Sequence, residues 1–413
     1  MNRESPARIV VVGGGQAGGE AVECLRREGY DGELFLVTAE CLPPYQRPPL
    51  SKDYLSGGCG LEGVLLHRDE FYAENRIKVL TGTEVVSIDP WAHRVRLAPG
   101  RKLNYDRLLL ATGSRVRCLG DHQGAELSDV YYLRTVEDSE RIRTAMDRPA
   151  RIIVVGGGYI GLEVASVAAE AGHEVTIVEA STRLLPRVVT RELSDFYARL
   201  HRSHRVDIRL GATVSGIRGD RTVRSVALAD GSELPADFVL VGIGVEPVTD
   251  LALDAGITCS NGIAVDSMCR TSAPDVFAAG DCSSHLNTYF GRRIRLESVA
   301  NAIGQGQVAA AAMLGKQHTY DSVPWFWSDQ YGVRLQMAGH SEGADRTVTR
   351  GAPDDESFVS FHLRGGVLIG VDAVNSMREF TVCRRLVAAR SRPDPAMLED
   401  PSVPVKSLLR QSM

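Results

Sequence analysis

The sequence predicts an α/β chain built on two nucleotide-binding folds of the doubly wound, Rossmann-like kind. Three observations carry this. A buried-strand run, Arg8-Ile9-Val10-Val11-Val12, leads into Gly13, Gly15 and Gly18 in the spacing G-x-G-x-x-G and then into a helical pattern. The same order returns where Ile152–Val155 precedes Gly156, Gly158 and Gly161. Glycine itself is richer than average usage, at 41 of 413 residues. One such spacing is weak evidence, but two with matching strand and helix flanks are not.

The length exceeds one ordinary core, so two or three domains are expected. A composition of 44% hydrophobic and 24% charged residues, with mean hydropathy near zero, is that of a globular protein. A net charge of -5 and a pI near 6.1 argue against a nucleic-acid partner. No apolar stretch approaches the ~20 residues that span a bilayer, so no membrane association is expected. The first strand begins too early for a signal peptide. The cysteines at 24, 41, 59, 118, 259, 269, 282 and 383 show neither C-x-x-C nor metal-ligand spacing. The reading is a cytoplasmic protein with free thiols and no metal site.

Along the chain, each glycine turn has a stated task. The first glycine makes the turn, the second admits a pyrophosphate and the third lets helix and strand pack closely, while the helix start offers free N–H groups. The strand "ELFLV" runs into Thr38-Ala39-Glu40, and Glu40 is the candidate for a ribose. The stretch "CLPPYQRPPLSKDYLSGG" sets two proline pairs before Lys52, a stiff backbone ahead of a flexible cation. "YDRLLLATGS" ends in Ala111-Thr112-Gly113. After the second turn, Glu179 lies about 20 residues on, where a carboxylate binds a ribose 2′-hydroxyl and repels a 2′-phosphate. NADH is therefore preferred over NADPH, with Arg183 close enough to soften the repulsion. "ADFVLVGIGVEP" ends in Gly242-x-Gly244. Val276–Ala279 delivers Gly280 and Asp281 to a sheet edge, where Asp281 is placed to bind a polyol chain. Ser298 to Leu314 is an alanine-rich helix. "VRLQMAG", "SFVSFHL" and "GVLIGVDAV" alternate as an antiparallel sheet does, with "REFTVCRRLVAAR" as the helix on it.

These pieces together resemble the FAD-dependent pyridine-nucleotide oxidoreductases of glutathione reductase-like fold. They are most similar to the NADH-dependent ferredoxin reductases of bacterial Rieske dioxygenase and haem monooxygenase systems. "YQRPPLSK", "VVGGGYIGLEVA", "DVFAAGDC", "LESVANAIGQG" and "PWFWSDQYG" carry the resemblance, in that order. It implies an FAD domain at 1–115 and 247–322, an NADH domain at 116–246 and a C-terminal α/β domain at 323–413. It also implies Lys52 near flavin N5 with Glu163 as its ion partner, and Arg47 beside the flavin nucleotide. Glu297, Ser298 and Val299 would open the helix aimed at the flavin pyrimidine end. An aromatic ring would lie against the flavin, Trp327 in preference to Trp325. Tyr159 would cover the nicotinamide pocket, with Ile160 and Gly244 also in cofactor contact. The family usually carries an acid at the position of Ala39 too; here Glu40 is left alone.

The disulfide-reducing relatives hold a C-x-x-x-x-C pair where this chain has Arg47, prolines and Lys52, and Cys41 and Cys59 are too far apart to replace it. The resemblance therefore implies hydride transfer from NADH to FAD, then single electrons to a 2Fe–2S ferredoxin that supplies an oxygenase. No general acid or base is needed, and the ten histidines stay unassigned. A basic face for an acidic partner is expected from Arg292, Arg293, Arg295 and Arg334, with arginines of 187–205. Three alternatives remain: a rubredoxin reductase, an NADH peroxidase or oxidase cycling Cys41 through sulfenic acid, and a redox-sensing flavoprotein similar to apoptosis-inducing factor. The acidic balance opposes the nucleic-acid surface expected of the last.

Overall fold

The apolar run Arg8–Val12 becomes the middle strand of a five-stranded parallel sheet in the computed structural model, which describes residues 6–120 and 124–409. Across this sheet the strands run Val276–Ala278, Arg107–Leu110, Arg8–Val12, Glu33–Val37 and Ile77–Leu80. Both faces are covered, which is why these strands read as unbroken apolar runs rather than alternating ones. The helix after the first glycine turn, Gln16–Arg27, packs its Ala17, Ala21 and Leu25 against Ala302, Ala309 and Ala310. Those alanines belong to the helix Val299–Met313, one residue shorter at each end than the run Ser298–Leu314 because Ser298 and Leu314 are its caps. Small residues on this helix bring its N-terminal turn close to the sheet edge where Gly280 and Asp281 follow Val276–Ala278.

The second parallel sheet repeats the plan, with the order Asp207–Leu210, Glu174–Glu179, Arg151–Val155, Phe238–Val241, Val130–Tyr132. An antiparallel sheet follows, ordered Trp325–Gln330, Val333–Gly339, Val367–Val374, Ser357–Arg364, Arg346–Ala352, with the helix Met377–Ala388 packed on it. Its first hairpin turns on only two residues, Tyr331 at φ 53° and Gly332 at φ 72°, the left-handed pair that suits the twist of a hairpin. A glycine tolerates this conformation freely; a tyrosine does not, and its presence there asks for a reason. The edge strand is closed off by Arg350, a buried guanidinium that donates to Glu379 and to the carbonyls of Leu398, Asp400, Pro401 and Val403.

The chain divides into two compact units: residues 1–47, 60–115 and 246–324, and residues 48–59, 116–245 and 325–413. This differs from the expected three domains in two respects. The antiparallel sheet falls in the same unit as the second parallel sheet, because its Val333, Leu335, Phe358 and Val374 share one core with Leu162, Phe196 and Tyr197. Residues 48–59 belong to that unit as well. Ser139 Oγ donates to Leu50 O at 2.9 Å and Tyr54 Oη to Glu140 at 2.8 Å, tying the segment to the helix Val136–Ala145. Residues 410–413, the end of the expected third domain, lie outside the described residues. No helix among the described residues is long and apolar enough to cross a membrane.

His201 and His285, one in each unit, are buried imidazoles. Burial pushes His201 down to about 4, and burial followed by the Arg293 charge does the same to His285. An unfolded histidine titrates near 6.5, so between pH ~6.5 and ~4 the unfolded chain binds more protons than the folded one. The stability these rings contribute is full above pH ~6.5 and is lost as pH falls through that window, by an order of a few kcal/mol per ring. The urea midpoint should be flat above the window and fall within it, and His285→Asn should flatten the fall. A midpoint constant throughout would contradict the burial of neutral rings.

Candidate active site

The first glycine turn is shaped by close approach. Gly13 sits at φ +120°, and a Cβ on it would stand 2.0 Å from Ala111 O; one on Gly18 would stand 2.0 Å from Gly13 O. Gly15 is different. Its φ of -88° suits any residue, and a Cβ there would meet nothing within 4 Å. The fold itself does not ask for glycine at 15, whereas a group lying on the turn would. The helix that starts here has no side-chain cap and no acid in its first turn, so its first N–H groups face that space unanswered.

Around the turn stand other expected residues of the first unit. Ala111 N donates to Val12 O at 2.7 Å, Thr112 Oγ1 to Val248 O at 2.7 Å, and Gly113 takes φ +69°. Ser114 Oγ donates to Asp281 Oδ2 at 2.8 Å, which orients that carboxylate. Gly280 N donates to Gln305 Oε1 at 2.8 Å, and the same oxygen receives Ser283 Oγ at 2.8 Å and Asn301 Nδ2 at 3.2 Å. Gln305 was not expected; it ties the Gly280-Asp281 turn to the start of the alanine-rich helix. At that start Ser298 Oγ accepts from Asn301 N, which leaves the N–H groups of Val299 and Ala300 without an intrahelical acceptor. Asn301 Oδ1 is buried there with no partner. Glu297 is turned to Arg295, 2.6 Å away. Glu40 is paired with Arg47 and accepts from Tyr45 Oη, and Arg47 lies over the Tyr45 ring at 5.1 Å. Tyr45, inside "YQRPPLSK", is a partner that the sequence reading passed over.

In the second unit the turn repeats. A Cβ on Gly156 would stand 2.5 Å from Gly242 O, and one on Gly161 would stand 2.3 Å from Gly156 O, while Gly158 meets only Gly242 O at 3.9 Å. Glu179 lies against this turn, accepting from Gly157 N and Ser181 N at 2.7 Å each. Arg183 does not soften its charge. The guanidinium donates to the carbonyls of Pro186, Val189 and Thr190 and is used up in shaping its own loop. Gly244 takes φ +104°, and Ile160 is 44% exposed on the first turn of the helix. Tyr159 packs on Phe326, with ring centroids 4.6 Å apart, and its hydroxyl donates to Met337 Sδ at 3.2 Å. Trp325 and Trp327 stack on each other at 5.5 Å, with Arg384 over Trp325.

The same unit holds a buried ion pair. Lys52 Nζ donates to Glu163 Oε2 at 2.6 Å, and the carboxylate is 2% exposed. Two hydroxyls complete it: Ser51 Oγ donates to Oε2 and Ser328 Oγ to Oε1, both at 2.6 Å. Neither serine was expected. Ser51 stands beside Lys52 in the chain, but Ser328 comes from 165 residues away, and only the alternation of its strand places it opposite the two tryptophans.

Of the expected docking arginines, three are engaged internally. Arg293 donates to Val265 O and Ser284 O, Arg295 is 10% exposed and paired with Glu297, and Arg334 is paired with Asp329. Every cysteine is free. Cys282, next to Asp281, is buried, and burial pushes its thiol up, away from the thiolate a nucleophile needs.

Residues 7–306 match the family model described as pyridine nucleotide-disulphide oxidoreductase, and residues 325–409 match that of the reductase C-terminal domain. The chain belongs to the pyridine nucleotide-disulphide oxidoreductase family. Putidaredoxin reductase of Pseudomonas putida is 41% identical over 97% of this chain and 96% of its own. The ferredoxin–NAD(+) reductase component of the anthranilate 1,2-dioxygenase system of Burkholderia cepacia is 40% identical over 97% and 99%. A solved covalent complex of putidaredoxin reductase with putidaredoxin superposes with a TM-score of 0.96 at 40% identity, covering 99% of each chain.

Both glycine turns fit the dinucleotides of this family. The second-position glycines, Gly15 and Gly158, open onto space that the protein does not fill, and each lies at an uncapped helix start. This separates two kinds of glycine. Gly15→Ala should fold with the thermal midpoint of its apoprotein unchanged yet bind FAD at least roughly tenfold more weakly, whereas Gly18→Ala should fail to fold stably. Flavin absorbance per protein and a melting curve on each variant decide it; equal flavin content in Gly15→Ala would refute the assignment of that space.

Proposed function

We propose that this chain is an FAD-dependent NADH:ferredoxin oxidoreductase, passing electrons from NADH to a 2Fe–2S ferredoxin that supplies an oxygenase. The observation that carries the reading is the pair of glycine cradles on one chain whose full length matches a putidaredoxin reductase solved with its redox partner. FAD, when bound, takes a hydride from NADH and gives up electrons singly.

The residues have the following tasks. The first turn, Gly13, Gly15 and Gly18, and the helix start behind it hold the FAD pyrophosphate. Asp281, oriented by Ser114, accepts from the ribityl hydroxyls, and Ala111, Thr112, Gly113 and Gly280 shape the backbone beside it. Glu40 accepts from the adenosine ribose with Arg47 as its counter-ion. The free N–H groups of Val299 and Ala300, after Ser298 and Glu297, stabilise negative charge on the reduced ring. Trp327 provides an aromatic wall. Gly156, Gly158 and Gly161 hold the NADH pyrophosphate, Glu179 its ribose, and Tyr159, Ile160 and Gly244 border the nicotinamide. Lys52 supplies the positive charge that accompanies hydride arrival, and Glu163 keeps that ammonium in place. The lone acidic charge of Glu179, with Arg183 committed to its loop, favours NADH. The free thiols suit a reducing cytoplasm.

The test is an anaerobic one. Purified holoenzyme is mixed with NADH, flavin bleaching is followed, and cytochrome c is added with a 2Fe–2S ferredoxin, with a rubredoxin, or with neither. Cytochrome reduction that requires the ferredoxin is the expected result; reduction served better by rubredoxin, or oxygen consumption alone, would displace it. Iodoacetamide should leave turnover intact, since no thiol takes part.

Cofactor choice is tested separately. Glu179→Gln should raise the NADPH/NADH ratio of kcat/KM by at least roughly tenfold, because the like charge facing a 2′-phosphate is gone. An unchanged ratio would mean that Glu179 does not read the ribose.

A further inference from the structure

Glu163 is the end of a longer chain of groups. Beyond Ser328 Oγ lies Gln330 Nε2 at 3.1 Å; beyond Gln330 Oε1 lies His201 Nε2 at 2.9 Å; and beyond His201 Nδ1 lies Tyr331 Oη at 3.1 Å. Ser328 and Gln330 are on one face of the strand Trp325–Gln330, His201 is on the helix Arg191–Ser203, and Tyr331 is the left-handed residue of the hairpin turn. Ser328, Gln330 and His201 are all buried.

The donor inventory leaves this chain one arrangement. An ionised carboxylate only accepts, so the single hydroxyl hydrogen of Ser328 points to Glu163. Ser328 Oγ must then accept from Gln330, which turns the amide NH2 toward it and the amide oxygen toward His201. His201 therefore carries its hydrogen on Nε2, and its Nδ1 accepts from Tyr331. Every donor points the same way, toward the carboxylate. Aligned hydrogen bonds polarise one another, and their effect on a terminal anion adds in a low-dielectric interior. The imidazole must be neutral for this, and burial keeps it so.

We propose that Gln330, His201 and Tyr331 are positioning residues for the Glu163–Lys52 pair, a one-way hydrogen-bond chain that holds Glu163 ionised and thereby keeps Lys52 an ammonium. The strained conformation of Tyr331 has its explanation here: it carries the outermost donor to His201. The ring of His204, stacked on Tyr331 at 3.8 Å, and the bond from Tyr331 N to Ser166 Oγ at 2.9 Å hold it there.

The other groups facing Glu163 do not compete for this task. Lys52 comes from the 48–59 segment, Tyr159 shares its helix, and Tyr197 comes from the helix Arg191–Ser203. Burial raises both phenols, and the charges of Asp372 on Tyr159 and Asp329 on Tyr197 raise them further, so they stay neutral through the working range. Lys52 is the one cation paired with the carboxylate among the described residues.

The proposal rests on the role given above to Lys52 and Glu163, and the test separates the two. Holoenzyme is read in two ways across pH: the rate of flavin reduction by NADH, and the midpoint potential of the bound flavin. Weakening the chain withdraws donor support from the Glu163–Lys52 pair, so the acid limb of the rate and the bend in the potential plot move together to higher pH. The expected shift is about one pH unit for His201→Leu and about half that for Tyr331→Phe, with His201→Gln, which keeps a donor toward Gln330, returning most of it. If His201→Leu does not fold, Tyr331→Phe decides. Limb and bend unmoved in the folded chain variants, but abolished by Glu163→Gln, would overturn the chain and leave the pair's role standing. A limb and bend that survive Glu163→Gln would overturn both.

Discussion

A carboxylate with almost no access to water is costly, several kcal/mol even after relaxation, unless its charge is paired and its lone pairs are filled. Glu163 meets that condition with donors from two stretches far from the glycine helix that bears it: Ser51 and Lys52, and Ser328 of the antiparallel sheet. Neither stretch, nor the helix itself, can move away without orphaning the charge. The segment 48–59, the second glycine helix and the hairpin at 325–339 are therefore held in one mutual arrangement by an electrostatic demand as well as by their common apolar core. An apolar residue at 163 would pack as well but would leave Lys52, Ser51 and Ser328 without a reason to converge.

The two glycine turns share one construction and differ in how the following acid is used. In each, the first and third glycines are required by carbonyl oxygens of the protein itself, and the middle glycine opens onto space. Glu179 reaches back to the turn and accepts from its backbone. Glu40, arriving later after its strand, is drawn instead to Tyr45 and Arg47. A strand that ends in a carboxylate can aim it at the turn directly; two extra residues carry it to the next loop, where another cation answers it. The absence of an acid at Ala39 is thus met locally by an ion pair that the proline-rich stretch supplies.

The arginines show how much internal work a charge read from sequence also does. A run such as Arg292-Arg293-x-Arg295 looks like a solvated patch, since arginine is usually exposed. Here Arg293 and Arg295 spend their donors on backbone carbonyls, Asn261 and Glu297, and Arg183 closes its own loop. A guanidinium has five donors, and a bend in the chain with free carbonyls attracts it as strongly as an acidic partner does. Arg350 is the extreme case, buried and wholly used in pinning the C-terminal segment.

Local physics made much legible. Unbroken apolar runs, glycines at a fixed spacing and an acid some 20 residues on require only short-range geometry, so both nucleotide folds, Glu179 after its turn and Asp281 at its sheet edge were readable before any coordinates, whereas the pairing of Lys52 with Glu163 was implied only by the resemblance to the family. The grouping of the antiparallel sheet with the second nucleotide fold, the serines on Glu163, the hub at Gln305 and the chain through His201 were not readable. Each depends on which face of a strand or helix meets another more than a hundred residues away, or on which of many similar serines, glutamines and histidines lies within 3 Å of a buried charge. Spacing along a chain dictates what its neighbours can do; only the packed fold decides which distant donors a buried ion must recruit.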